Sequence, residues 1–232
     1  MSTANFRFHG ERLIADLSGA LIWPATDTVI VSDLHLEKGS AFAERGFLLP
    51  PYDSRETLSM LEDVLERHTG KRVICLGDSF HDSSAFGRLG VEENETIQRL
   101  VQGRDWLWVA GNHDPNPPKT LGGQVSQELA IDKLVFRHQA ELDSGGGEIS
   151  GHYHPKARVE VRGRRLSAPC FVTDGSEKLI LPAFGAYTGG LDVTDPAIDN
   201  LFARGFDIHM LGQRKVYSFP KSALAPSQNR LQ

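Results

Sequence analysis

Residues 71–82, KRVICLGDSFHD, join a short apolar run to a turn that is dense in polar side chains. The run RVICL is typical of a buried β-strand, and Gly77 allows the chain to turn sharply at its end. Asp78 therefore lies at the end of a strand, a common place for a metal-binding carboxylate. The alternative is an Asx turn, in which Asp78, His81 and Asp82 only satisfy the local backbone.

Two further segments repeat this pattern, and helices are predicted between the three. DTVIVSD at residues 27–33 and DWLWVAGNHD at 105–114 each read as a strand that ends in polar residues. Residues 51–68 place four apolar side chains on one helical stripe, and a second helix is predicted near residues 94–102. Alternating strands and helices predict an α/β unit with its site at the carboxyl ends of the strands.

The flanking regions predict a second, β-rich layer. Residues 5–24 alternate polar and apolar side chains around glycines, and short strand-like segments recur between residues 133 and 220. We therefore predict one domain over residues 1–222, in which a second sheet packs on the first. Residues 223–232 are expected to form a flexible tail.

The composition excludes several classes of function. The net charge of −5 over 232 residues provides no global attraction for nucleic acid, so a nucleic-acid role requires a local patch. The two cysteines are far apart, which argues against a disulfide and against a thiolate metal site. No segment approaches the ~18–20 apolar residues of a spanning helix, and no signal sequence is evident. A cytoplasmic protein without membrane association is expected.

Three more polar motifs follow predicted strands. SDLH at residues 32–35 supplies Asp33 and His35, and GNHD at 111–114 supplies Asn112 and His113. SGHYHP at 150–155 supplies two histidines, and residues at alternate positions of an extended chain point the same way. Each motif alone is also explained by a capping aspartate, a turn or exposed histidines.

The set as a whole is more specific than its parts. It offers carboxylate, amide and imidazole donors without thiolate, which suits Mn²⁺, Fe or Zn²⁺ in a two-metal hydrolytic site. The candidate donors are Asp33, His35, Asp78, Asn112, His138, His152 and His154.

In this order the motifs D-x-H, GD, GNHD, His and G-H-x-H resemble the calcineurin-like metallophosphoesterase superfamily. The resemblance implies an α/β fold, a four-layer sandwich of two stacked mixed β-sheets flanked by helices. It also implies one metal on Asp33, His35, Asp78 and His154, and a second on Asp78, Asn112, His138 and His152. His113 would act at the leaving group.

His81 departs from the superfamily pattern, because many members have the last acid of G-D-x-x-D at this position. A narrower resemblance accounts for this departure. SDLHLEKGSAFAERGFLLPPYDSRETL, GDSFHD, GHYHP and PAFGAYTGGLDV are similar to bacterial metallophosphoesterases associated with DNA-ligase repair clusters. That branch implies two manganese ions, DNA or another phosphodiester as substrate, and a functional link to DNA ligase and helicase repair proteins.

The expected reaction is a bridging hydroxide attacking a phosphodiester phosphorus in line, with His113 donating a proton or a hydrogen bond to the leaving oxygen. His81 is expected on the same rim, either as a catalytic residue near the phosphate or as a supporting or merely exposed residue that does not touch the substrate. The basic run at residues 156–165 is either a solvated strand face or a guide for a phosphate backbone. The alternatives are a phosphomonoesterase, a cyclic-nucleotide phosphodiesterase, and a scaffold without activity, which the complete donor set disfavours.

Overall fold

The computed structural model describes residues 3–47, 50, 52–117, 119–143 and 145–225. Its first sheet follows the chain strand by strand. β1 to β4 pair antiparallel, and β4 to β7 pair parallel. The strands are β1 (Thr3–Phe8), β2 (Glu11–Asp16), β3 (Leu21–Trp23), β4 (Thr28–Val31), β5 (Arg72–Leu76), β6 (Asp105–Val109) and β7 (Gln124–Ser126).

Helices connect the parallel strands of the first sheet. Four precede β6, namely α1 (Lys38–Glu44), α2 (Asp53–His68), α3 (Ala85–Arg88) and α4 (Val91–Val101), and α5 (Pro196–Asp199) lies near the C-terminus. The predicted stripe of α2, formed by Leu58, Leu61, Val64 and Leu65, is buried against the sheet, which confirms the helical periodicity. No helix in the described part of the chain has the length and apolar character needed to cross a bilayer.

The second half of the chain forms the predicted second sheet, which is also mixed. Its order is β14-β11-β12-β13-β10-β9-β8, and β12 also pairs with β15, which pairs with β16. The strands are β8 (Glu128–Ile131), β9 (Leu134–Arg137), β10 (Glu148–Ser150), β11 (Pro155–Val161), β12 (Arg164–Thr173), β13 (Lys178–Ile180), β14 (Leu191–Asp192), β15 (Asp207–Leu211) and β16 (Val216–Pro220).

Side-chain alternation divides the core into layers. In β4, Val29 and Val31 pack toward the helices, whereas Ile30 packs between the two sheets. Successive residues of a strand point to opposite faces, so one strand supplies two layers at once. A third apolar cluster, which includes Phe202 and Phe206, covers the far side of the second sheet. The four-layer sandwich predicted from the sequence is confirmed.

Both cysteines and the C-terminal segment have defined surroundings. Cys75 and Cys170 are buried free thiols. Of the predicted tail, Leu224 forms a β-bridge with Val159, and the N–H of Ala225 donates to Arg158 O at 2.8 Å. Residues 226–232 lie outside the described residues.

Candidate metal centre

The polar loops meet because parallel strands bring their carboxyl ends to one edge of a sheet. Asp33 and His35 follow β4, Asp78 follows β5, and Asn112 follows β6. The second sheet brings three histidines to the same place, at the ends of β9 and β10. All seven predicted donors gather there, and six of them fall into two groups of three, Asp33, His35 and His154, and Asp78, His138 and His152.

In the first group, three donor atoms lie within 4.8 Å of one another. His35 Nε2 lies 3.2 Å from His154 Nε2, which in turn lies 3.3 Å from Asp33 Oδ1. The other oxygen, Asp33 Oδ2, accepts bonds from Ser32 Oγ at 2.5 Å and from the N–H of His152 at 3.0 Å. Asp33 Oδ1 is thus left facing the two imidazoles.

The second group is oriented by the backbone. His138 Nδ1 lies 2.9 Å from Leu76 O, so it carries the proton and donates to that carbonyl. His138 Nε2 then faces inward, 3.1 Å from His152 Nδ1 and 3.4 Å from Asp78 Oδ2. Asn112 Oδ1 lies 2.9 Å from His138 Nε2 and 3.0 Å from His152 Nδ1, which places the amide oxygen in the same group.

Asp78 lies between the two groups. Its Oδ2 is 4.0 Å from His35 Nε2 and 3.4 Å from His138 Nε2, and its Oδ1 accepts from the N–H of His113 at 2.9 Å. One carboxylate oxygen is thereby fixed by the protein, while the other is directed at both groups. Asp78 could therefore contribute to holding a cation in either group.

The donor chemistry fits two divalent cations. Asp33 Oδ1 is buried and makes no well-directed hydrogen bond with the described residues, although His154 Nε2 lies 3.3 Å away. A buried carboxylate oxygen without a donor is costly unless a cation lies beside it. Imidazole nitrogens 3.1–3.2 Å apart also need a proton or a cation between them. Oxygen and nitrogen donors without thiolate suit Mn²⁺, Fe or Zn²⁺.

The electrostatics of the site favour positive charge. Burial alone would raise the pKa of Asp78, but contact with His138 and its charge lower that pKa to about 2. Burial would likewise lower the pKa of His138, but Asp78 and the charge of Asp33 raise it to about 9. Burial lowers the pKa of His35 to about 3, so this imidazole is neutral. Cations and protons therefore compete for the same pocket.

The backbone at the site differs from the sequence-based explanation. Alternate residues were expected to converge because the chain is extended, but this is wrong. Asp33 (φ 55°), His35 (φ 46°), His152 (φ 72°) and His154 (φ 46°) all have left-handed backbone, as does Asp78 (φ 45°). Such residues are held by their surroundings at an energetic cost, and they cluster at functional sites.

Backbone hydrogen bonds between neighbouring loops hold these conformations. The N–H groups of Asp33 and His35 donate to Gly77 O at 3.2 Å and to Asp78 O at 2.9 Å. Leu34, between them, is buried in the apolar layer under the helices. The loop after β5 therefore carries Asp78 and also holds Asp33 and His35 in place, while Leu34 anchors the loop after β4 to the core.

Asp114, the last residue of GNHD, has a positioning role that the sequence motifs did not indicate. It is buried, and its two oxygens accept from the N–H groups of Gly111 and Phe80, each at 3.1 Å. Burial and the charge of Asp78 raise its pKa to about 7. Asp114 thus joins the loop after β6 to the loop after β5. The only signal in the sequence was its place at the end of the motif.

A cleft of about 390 Å³ opens above the two groups, and both predicted catalytic histidines line it. His113 Nδ1 lies 2.8 Å from His81 O, and its Nε2 lies 3.9 Å from Asp78 Oδ2. The rings of His81 and His113 are stacked, with centroids 5.7 Å apart. Lys38, Gly189 and Gly190 also line the cleft, and Lys38 belongs to none of the polar motifs of the sequence.

Asp82, the acid one position late for the superfamily motif, points away from the cleft. Its carboxylate accepts from Arg88 Nη2 at 2.7 Å and from the N–H of Ser84 at 2.8 Å. It therefore orders the turn before α3, and His81 takes the position nearer the donors. In the basic run at residues 156–165, Arg158 is paired with Asp192 at 2.7 Å.

Known proteins are similar to this chain to different degrees. The model of the calcineurin-like phosphoesterase family matches residues 27–196. Among solved structures, the chain is similar to the Pseudomonas putida nuclease MPE, with 27% identity and a TM-score of 0.74, covering 94% of this chain and 100% of that one. YfcE, a phosphoesterase from E. coli, is a weaker match at 13% identity and a TM-score of 0.41, covering 83% of this chain and 98% of that one.

No curated protein matched the chain. The family match nevertheless spans most of it, and both the two-sheet fold and the two donor groups agree with that family. The superfamily predicted from the motifs is therefore confirmed. The chain belongs to the calcineurin-like phosphoesterase family.

Proposed function

We propose that the protein is a two-metal phosphodiesterase that cleaves DNA, as an endonuclease acting in DNA repair. The observation that carries this proposal is the pair of facing donor groups, with Asp78 between them, at the bottom of an open cleft. Similarity to a protein described as a nuclease, over nearly the whole length of both chains, supports a nucleic acid as the substrate. The choice of DNA rests on the resemblance to metallophosphoesterases of DNA-ligase repair clusters. A link to ligase and helicase repair proteins, and action in the cytoplasm, are part of the same proposal.

The seven donors would hold the ions as the family resemblance implies. Asp33, His35 and His154 would hold one, Asn112, His138 and His152 the other, and Asp78 both. When bound, the ions would supply an activated water and neutralise the charge of the phosphate. The absence of thiolate favours manganese, with iron or zinc as alternatives.

The chain's own residues would orient the substrate and move its proton. His113 Nδ1 is directed at His81 O, which leaves Nε2 facing the cleft near Asp78. In its protonated form, His113 would donate from Nε2 to the oxygen that leaves phosphorus. His81 stacks on His113 from the rim, where its ring can contact a phosphate oxygen.

A metal panel against plasmid, linear and single-stranded DNA tests the proposal, with a chromogenic diester and a monoester beside them. We expect nicking of circular DNA with Mn²⁺, and loss of at least ~100-fold in rate for Asp78→Asn. Asp82→Asn is the matched control, because it lies four residues away in the same loop and faces α3. Faster hydrolysis of the monoester than of any DNA would instead indicate a phosphomonoesterase.

His81→Ala separates the catalytic role of His81 from a structural one. A catalytic role predicts slower turnover on every phosphoester with unchanged melting temperature and ion content. Unchanged turnover on all substrates would contradict it. If the protein bound the ions but hydrolysed no substrate with any metal, the proposal that it is an enzyme would be contradicted.

A further inference from the structure

A second concave surface lies at the far end of the second sheet. β12 pairs with β15 only from Cys170 to Thr173, so beyond Cys170 the β11–β12 and β15–β16 hairpins no longer pair with each other. Between them is a groove of about 790 Å³, which we call the distal groove. Its apolar lining includes Val159, Val161, Leu166, Met210, Tyr217 and Phe219.

The strand register places these side chains on one face. Val159 pairs with Leu166, and Met210 pairs with Tyr217, so each pair projects to the same side of the sheet. The apolar cluster with Phe202 covers the neighbouring part of this face. Among the described residues the distal part is left open, since Leu166 is 48% exposed and Tyr217 is 43% exposed.

Aromatic and cationic groups are combined in this groove. The rings of Tyr217 and Phe219 are nearly parallel, at 23° and 6.5 Å between centroids. Arg164 and Arg214 line the groove, and Lys215 Nζ lies 4.9 Å from the centre of the Tyr217 ring. This concentration of positive charge stands out in a chain whose net charge is −5.

The charges select among the occupants of the groove. A second copy docked face to face would bring the arginines of two grooves together, and this like-charge contact disfavours a dimer. A polyanion gains from the same charges. Bases in a duplex are already stacked on one another, whereas unpaired bases are free to stack on an exposed aromatic platform.

We propose that the distal groove binds a single-stranded stretch of the DNA substrate. The choice of DNA as the polyanion rests on the proposed nuclease function. Unpaired bases would stack on Tyr217, and Arg164 and Arg214 would contact the phosphates. β11 begins at the residue after His154 and reaches the groove at Val159. Five residues of strand span about 17 Å, so one DNA strand can reach both sites.

The test is binding of a fluorescent oligothymidylate to the full-length protein in EDTA, followed by anisotropy. Tyr217→Ala is expected to weaken binding about 5- to 150-fold, because one stacking contact is lost. Tyr217→Phe keeps the ring and should bind within about twofold of wild type. The double variant Arg164→Ala, Arg214→Ala should lower the salt slope by about 1.4, as for two phosphate contacts to a single strand.

Controls separate the groove from general charge and from folding. Lys71→Ala removes an exposed cation just before β5, at the edge of the first sheet opposite the donors, and should leave binding unchanged. Hydrolysis of a small chromogenic diester should be the same in wild type and in all groove variants, because that substrate does not extend beyond the cleft.

Several results would overturn the proposal. One is undetectable binding of oligothymidylate by the wild type, and another is full binding by Tyr217→Ala. Equal defects in Tyr217→Ala and Tyr217→Phe would also overturn it, as would groove variants that lose duplex binding as much as oligothymidylate binding. A wild-type dimer that Tyr217→Ala dissociates would assign the groove to a second copy. Binding is measured in EDTA, separately from cleavage. A protein that bound oligothymidylate through the groove but cleaved no DNA would therefore refute the proposed nuclease function and not the groove proposal.

Discussion

Replacing Gly77 by alanine tests how closely the second donor group is packed. Gly77 has a φ of +73°, and a Cβ added to it would lie 2.4 Å from His138 Nδ1 and 2.5 Å from its Cγ. Carbon atoms in ordinary contact are about 3.5–4.0 Å apart, so the imidazole has to move. His138 is fixed by its bond to Leu76 O and faces the other donors, so any movement withdraws Nε2 from them.

The cost has two parts that can be measured separately. A left-handed backbone costs alanine about 1–2 kcal/mol relative to glycine. Overpacking against a fixed ring adds about 1–3 kcal/mol. Gly103→Ala isolates the first part, because Gly103 has a φ of +79° and a Cβ added there would meet nothing within 4 Å. The free energies of unfolding of the two variants should differ by the overpacking cost. For a chain of this size, that cost corresponds to a difference of about 2–12 °C in melting temperature.

The assay is thermal unfolding in chelator, followed by ion content after dialysis against Mn²⁺. We expect Gly77→Ala to melt below Gly103→Ala and to lose the ion of the His138 group while keeping that of the Asp33 group. The reasoning would be refuted if both variants melted within about 1 °C of each other and bound as many ions as wild type.

Three further results are expected. Asp114→Ala leaves the buried N–H groups of Gly111 and Phe80 without acceptors and should cost about 2–6 kcal/mol in urea unfolding. Chelation should lower the melting temperature, since ions present at about 100 times their Kd stabilise the folded state by about 2.7 kcal/mol; an unchanged melt would argue against tight binding. Asp16→Ala should cost about 1.5–3 kcal/mol at neutral pH, because the buried carboxylate accepts from His68 at 3.0 Å. Burial alone would raise the pKa of Asp16, but its hydrogen bonds lower that pKa below 3.8. The loss of stability in Asp16→Ala should therefore shrink as the pH falls through the folded-state pKa, and it should not shrink at high pH.

Much of the site was predictable because its donors follow strand ends, and strand ends are marked by a change from apolar to polar residues. RVICL before Asp78 and LWVA before Asn112 give that signal directly. His138 has no such motif, since it follows the short strand β9 alone. Its place after a predicted strand made it a candidate, and the family resemblance implied its role as a metal ligand. The structure places its Nε2 3.4 Å from Asp78 Oδ2.

The rest depends on contacts between segments distant in the chain, which local pattern does not encode. Left-handed backbone at Asp33 follows from its hydrogen bond to Gly77 O, not from its own sequence neighbours. Asp114 acquires its role only when the loop after β5 lies beside it. The distal groove likewise depends on the register of β11 with β12, which places Val159 and Leu166 on one face.

Each donor group takes members from both sheets, and this has a consequence for the order of events during synthesis. Asp33 and His35 are made early, but their group is completed only by His154, 119 residues after His35. The group of Asp78 likewise needs His138 and His152. In a chain still on the ribosome, the Asp78 group is therefore incomplete until residue 152 has emerged, and the Asp33 group until residue 154 has emerged. Ions bound afterwards would act as a reversible cross-link between the sheets, closing a long loop whose entropy the unfolded chain otherwise retains.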